Sequence, residues 1–200
     1  MGEGIEKFGI KDLVTYKLGN LTRKPNGSHR GRNPVDAMSL VGFVEARLFG
    51  PDGRLKQLES GYNLVTDYGD EHVGERMSLD AQDIVTGMRL GTGATAAAKA
   101  GAGAAIVTYE SGSNEDLDAV SVGSDKGAGL GWRQAHVCTW IAGDVTEVAL
   151  AEVVLSDENP LTDVAGVVGD TVARFVFGST IDKQAGDSLE VTWNVDFLGA

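Results

Sequence analysis

The stretch Ser188-Leu189-Glu190-Val191-Thr192-Trp193-Asn194-Val195-Asp196-Phe197 alternates polar and apolar residues without a break. Successive side chains of a strand point to opposite faces, so Leu189, Val191, Trp193, Val195 and Phe197 make one greasy stripe and the polar residues a wet one. A helix would scatter the same apolar groups around its circumference. The stretch therefore reads as a half-buried strand of an antiparallel sheet, which points to a β scaffold and away from βαβ enzymes.

Upstream the theme repeats. Leu40 to Phe49 alternates, with Leu40, Val44, Ala46 and Leu48 on one face and Phe43, Glu45, Arg47 and Phe49 on the other. Gly50-Pro51-Asp52-Gly53 is turn chemistry, and Arg54 to Val65 reads as the hairpin partner. Short strand-like runs follow at 84–90, 106–109, 117–122, 132–141, 145–155 and 171–177. The run 145–155 is apolar on both faces apart from Glu147 and Glu152, which suits a strand buried mid-sheet. Residues 182–187 read as a hairpin-like link into the final strand. The acidic stretch 66–83 accommodates one short helix, with Val73, Met77 and Leu79 as its only anchors. Ala94 to Ala105 is low in complexity; alanine favours helix but the glycines oppose it, so it reads as a flexible loop. A second glycine-rich loop spans 124–131. Eight to ten short strands separated by turns indicate an all-β fold, a β-sandwich or jelly-roll-like body over residues 36–200.

The chain of 200 residues holds 28 glycines and one cysteine and carries a net charge of −12. Residues 1–35 differ from the rest: Lys7, Lys11, Lys17, Arg23, Lys24, Arg30 and Arg32 face only Glu3, Glu6 and Asp12, a local +4 that leaves −16 for the remainder. Residues 19–34 are almost all turn formers and charge and cannot bury enough surface to fold alone. Residues 1–35 read as an extended basic arm, either disordered throughout or ordered on a partner. An acidic body repels nucleic acid, so an acidic protein surface is favoured over nucleic acid as the arm's partner. No apolar run approaches the ~20 residues that span a bilayer, and the first residues lack an apolar signal core. The lone Cys138 excludes an intramolecular disulfide and suits synthesis in a reducing cytoplasm.

Motifs for catalysis are missing. Gly91-Thr92-Gly93 is followed by neither the lysine and hydroxyl of a P-loop nor the third glycine of a dinucleotide loop, and it reads as a turn needing positive φ. His29, His72 and His136 lie far apart with no zinc spacing. Asp67, Asp70 and Glu71 lack an EF-hand pattern, and Asp70, Glu71, His72 and Glu75 read as a solvated helix turn. His136 and Cys138 share a strand face two residues apart, a spacing that rarely permits the hydrogen bond of a catalytic pair. The expectation is a protein with no catalytic, cofactor or metal residues, with Trp193 in the core and Trp132 at a surface contact.

Three pieces, in order, resemble a group of tailed-bacteriophage virion structural proteins: Gly61-Tyr62-Asn63-Leu64-Val65-Thr66-Asp67-Tyr68-Gly69, the segment Met88-Arg89-Leu90-Gly91-Thr92-Gly93 with its small-residue loop, and the closing region 173–197. The resemblance covers 61–197 in patches and implies a capsid cement (decoration) protein on the shell surface. It also implies a homotrimer whose partner is the major capsid protein. The seven basic residues of the arm would then make the capsid contact. The alternative in the same class is a tail, baseplate or fibre component, with receptor or carbohydrate sites in loops 94–105 and 111–131.

Overall fold

In the computed structural model, which describes residues 39–78, 83–119, 122–126 and 131–198, the alternating stretch is strand β10 (Ser188–Leu198). The other strands are β1 (Ser39–Phe49), β2 (Leu55–Tyr62), β3 (Leu64–Val65), β4 (Gly87–Gly91), β5 (Glu115–Asp116), β6 (Val122–Asp125), β7 (Trp132–Trp140), β8 (Glu147–Ser156) and β9 (Thr171–Lys183). Helix α1 spans Asp67–Arg76. Two antiparallel five-stranded sheets result, one ordered β2-β1-β10-β7-β6 and the other β3-β9-β8-β4-β5. This is an all-β sandwich. β10 lies at the centre of the first sheet, paired with β1 from Ser39↔Leu198 to Phe49↔Ser188 and with β7 on its other side.

The greasy stripes meet between the sheets. Val44, Ala46 and Leu48 join Leu189, Val191 and Trp193, with Cys138 and Trp140 from β7, and they pack against Met88, Leu90, Val153, Leu155, Phe175 and Phe177 of the second sheet. Residues 151–156 of β8 are buried on both faces, as a strand flanked by two neighbours and covered above and below must be. The turn after β1 is a hydrogen-bonded loop with Gly53 at φ +73°, the left-handed conformation that glycine adopts without steric cost.

Several sequence expectations change in detail. The run 54–65 is not one strand: at Asn63 the chain leaves the first sheet, and Leu64–Val65 pair with Ala173 and Arg174 of β9 in the second. Gly42 permits this crossing, because a Cβ there would lie 1.7 Å from the Asn63 Oδ1. Residues 182–187 form no hairpin either, since they join β9 of one sheet to β10 of the other. The strand expected at 117–122 is replaced by β5 and β6 on either side of it, and β6 takes in the first residues of the expected loop 124–131.

Helix α1 is anchored differently from its apolar pattern. Met77 is 73% exposed, while Gly69 and His72 are buried. A Cβ on Gly69 would lie 2.0 Å from the Val172 carbonyl oxygen, so the helix rests backbone to backbone on β9. Thr66 caps it, accepting from the Gly69 N–H at 2.9 Å while its hydroxyl donates to the Thr171 carbonyl at 2.6 Å.

Candidate functional site

Cross-strand register places Arg89, Val154 and Arg174 in one row on the outer face of the second sheet, and Gly91, Glu152 and Val176 in the next. Charged side chains in mid-strand would ordinarily face water. Here Arg89, Glu152 and Arg174 are fully buried, because two loops fold over them. Glu152 accepts hydrogen bonds from the N–H groups of Gly93 (3.0 Å), Val107 (3.0 Å) and Thr108 (2.9 Å). The Arg174 guanidinium donates to Glu152 Oε2 (2.8 Å) and to the carbonyls of Gly103 (3.2 Å) and Thr95 (2.8 Å). Residues 92–108 are thus clamped to the sheet by one ion pair with saturated hydrogen bonding, the condition under which a buried pair is tolerated. The expected flexible loop 94–105 is instead packed, with a 3-10 turn at Gly101–Ala104 and buried Gly103 and Ala104.

The glycines at 91 and 93 serve this clamp. Neither has positive φ. A Cβ on Gly91 would lie 2.4 Å from the Thr108 carbonyl oxygen, and one on Gly93 would lie 2.4 Å from Glu152 Oε1. The pair of glycines makes room for a carboxylate and for the loop backbone at Thr108, and that replaces the turn expected from sequence; the strand expected at 106–109 is reduced to a single bridge between Gly91 and Tyr109.

The second loop, 157–170, is held in the same way. Arg89 donates to Ser156 Oγ (3.0 Å) and to the Thr162 carbonyl (3.2 Å) and forms an ion pair with Glu158. Asp163 accepts from Tyr109 Oη (2.6 Å) and the Gly112 N–H (2.7 Å), bonds that hold its carboxyl below the usual range. His72 turns inward: its Nδ1 lies 2.8 Å from Asp157 Oδ2, which also accepts from Tyr68 Oη at 2.7 Å. Burial, and then this bond, push the Tyr68 hydroxyl pKa far up. His72 therefore joins a buried docking contact for α1, whereas sequence placed it in a solvated turn.

Lys183, also fully buried, donates from Nζ to the carbonyls of Ile141 (3.1 Å), Asp144 (2.5 Å) and Val145 (3.1 Å). It closes the turn in which Val145 has φ +39°, a strained value for a β-branched residue. Burial lowers the Lys183 pKa.

His136 and Cys138 share the inner face of β7, as the alternation predicts. Burial lowers the His136 pKa to about 4 and pushes the Cys138 thiol far up, and Cys138 Sγ donates to the Glu115 carbonyl at 3.3 Å. A thiol held protonated in this way is a poor nucleophile. Trp193 is fully buried in the core, whereas Trp132 is 49% exposed. Among the described residues no group of three or more His, Cys, Asp or Glu is arranged to hold a metal ion.

One open groove, about 530 Å³ in volume, runs between the β2–β3 crossing and the clamped loop. Tyr62, Asn63 and Leu64 form one wall, Ala94, Ala96 and Ala97 the other, and Arg174 to Val176 the floor. Tyr62 is 71% exposed and stacks edge-on against Phe43, with ring centroids 5.5 Å apart. Lys7, Lys11, Lys17, Arg23, Lys24, Arg30 and Arg32, the expected capsid-binding residues, lie outside the described residues.

No family model, curated protein or solved structure matches this chain.

Proposed function

We propose that the protein is a non-enzymatic structural protein of a tailed-phage virion, a capsid cement protein that binds the shell surface and ties capsomers together. The observation that carries this reading is where the fold spends its chemistry. Arg89, Glu152, Asp157, Arg174 and Lys183 are each bonded within the fold, and what they hold is loop backbone or, for Asp157, the His72 and Tyr68 side chains of the helix. Such an arrangement supports a rigid block that acts through its surface. The patchwise sequence resemblance supplies the class of particle, and the +4 segment ahead of an acidic body supplies a means of attachment by charge. The mechanism is mechanical: interface buried across neighbouring capsomers raises the free energy needed to separate them, and many copies add.

The test is co-sedimentation of the full chain with empty, expanded capsids from the same source. Saturable binding is expected, and charge reversal of Arg23, Lys24, Arg30 and Arg32 should abolish most of it. No binding by the parent chain would remove the capsid reading.

The groove favours a second reading, a receptor- or carbohydrate-binding component of the tail. Its alanine wall belongs to the loop 94–105, and Tyr62 offers an exposed aromatic ring beside it. Binding on a glycan array that disappears in Tyr62→Ala would establish it.

A further inference from the structure

The two sheets are finished differently on their outer faces. The second is roofed by the loops 92–108 and 157–170. On the first, no described element lies over β1, β10 and β7. Register identifies that face: Leu58, Ser60 and Tyr62 from β2, Phe43, Glu45 and Arg47 from β1, Glu190, Thr192 and Asn194 from β10, and Ala135, Val137 and Thr139 from β7.

Charge distinguishes this face. Arg47 donates to Glu190 (3.1 Å) and pairs with Glu45. Arg133 grips Asp196 with two bonds (2.7 and 3.0 Å), and Lys126 binds the same carboxylate. Glu45, Glu190 and Asp196 are thus balanced by Arg47, Lys126 and Arg133; Asp118, which accepts from the Thr139 hydroxyl at the β7 edge (2.7 Å), leaves the face at −1 on a body that carries −16. Between the ion pairs it presents apolar groups: Leu58 (50% exposed), Tyr62, and the partly exposed Phe43, Ala135 and Val137.

We propose that this face is where a second copy of the chain docks. Two bodies of the same strong charge repel wherever acidic surface meets acidic surface, so this nearly uncharged face, with its apolar groups on β2, β7 and Phe43 of β1, is the one that two copies can bring together at least electrostatic cost. Its size suffices. Five strands ~4.8 Å apart and about nine residues long at ~3.3 Å each give a flat footprint of roughly 600–700 Å². A standard interface needs ~800 Å² of accessible surface per partner, and side-chain relief makes accessible area exceed the flat footprint. The inference does not rest on the capsid reading, because it concerns the protein alone in solution.

The experiment is the mass of the full chain by light scattering across a concentration series. An assembly with roughly twice the mass of one chain or more is expected. Val137→Glu, mid-way along β7 beside the central strand, should return it to a single chain. Leu58→Glu with Tyr62→Glu guards against misfolding, since both side chains are at least half exposed, and should do the same. Val164→Glu and Val167→Glu, exposed valines of the loop over the other sheet, should leave the mass unchanged. A monomer at every concentration overturns the proposal. So does an assembly that survives the face variants, or one that dissolves on the valine-loop substitutions instead.

Discussion

At pH 7 the His136 imidazole is buried and neutral, because a charged ring beneath β7 would lose its water. Its pKa of about 4 in the fold lies below the ordinary 6.5, so the unfolded chain takes up a proton over a range where the folded chain does not. Stability on this account is complete above about pH 6.5 and falls as pH drops toward 4, by about 3 kcal/mol in all. His136→Gln should flatten that part of the curve; urea unfolding of both proteins at about pH 7.5 and 4.5 checks it, and parallel losses would exclude His136 as the cause. Gly91 makes a different single-residue case. Gly91→Ala sets a methyl against the Thr108 carbonyl and Glu152 Oε1, at 2.4 and 2.7 Å. Backbone on one side and a clamped carboxylate on the other leave little room to adjust. A loss of about 1–3 kcal/mol is expected in denaturant unfolding. The sequence announced a special glycine here but not the reason for it. Positive φ is a local property that a turn motif suggests, whereas close approach depends on Thr108 and Glu152, which lie far along the chain.

Among the elements, the loop 92–108 owes its order to one ion pair. Arg174→Met removes the cation that balances Glu152 and also frees the carbonyls of Thr95 and Gly103. Removing one member of a buried pair costs about 3–5 kcal/mol. Backbone amides of residues 93–108 should exchange with deuterium faster, out of proportion to those of β1 and β10. Uniformly faster exchange would mean that the pair supports the whole fold and not the loop. Little of this was legible beforehand. A low-complexity run of alanine and glycine has no pattern of its own, and its anchors are an acid and a base in distant strands. Glu152 stood out as an exception in an apolar run; Arg174 did not, because a single arginine in a strand reads as an outward-facing residue. β1, β7 and β10 were readable for the opposite reason: one face of each is core, and burial writes the period of two into the sequence. That period says nothing about which sheet a strand joins. No turn signal interrupts the run 54–65 at Asn63, and a link such as 182–187 reads the same whether it joins strands of one sheet or of two, so the two crossings between sheets were invisible.

At the scale of the whole molecule, two attachments are proposed, and they depend on salt in opposite ways. Docking between copies brings nearly neutral faces together while the surrounding acidic surfaces oppose each other. Raising ionic strength shortens the screening length from ~10 Å at 0.1 M to ~3 Å at 1 M. That weakens the opposition between bodies and leaves the apolar contact of Leu58, Tyr62, Phe43 and Val137 intact, so self-association should strengthen as salt is added. Attachment of the +4 segment to an acidic surface is attractive at long range, and the same screening should weaken it. Light scattering and capsid co-sedimentation, each run from about 0.05 to 0.5 M sodium chloride, should therefore diverge: mass rising in the first, occupancy falling in the second. If mass falls with salt, then opposite charges and not the nearly neutral sheet face hold the copies together, and the basic segment of one copy on the acidic body of another becomes the contact to pursue. If occupancy holds steady, the arm does not attach by charge.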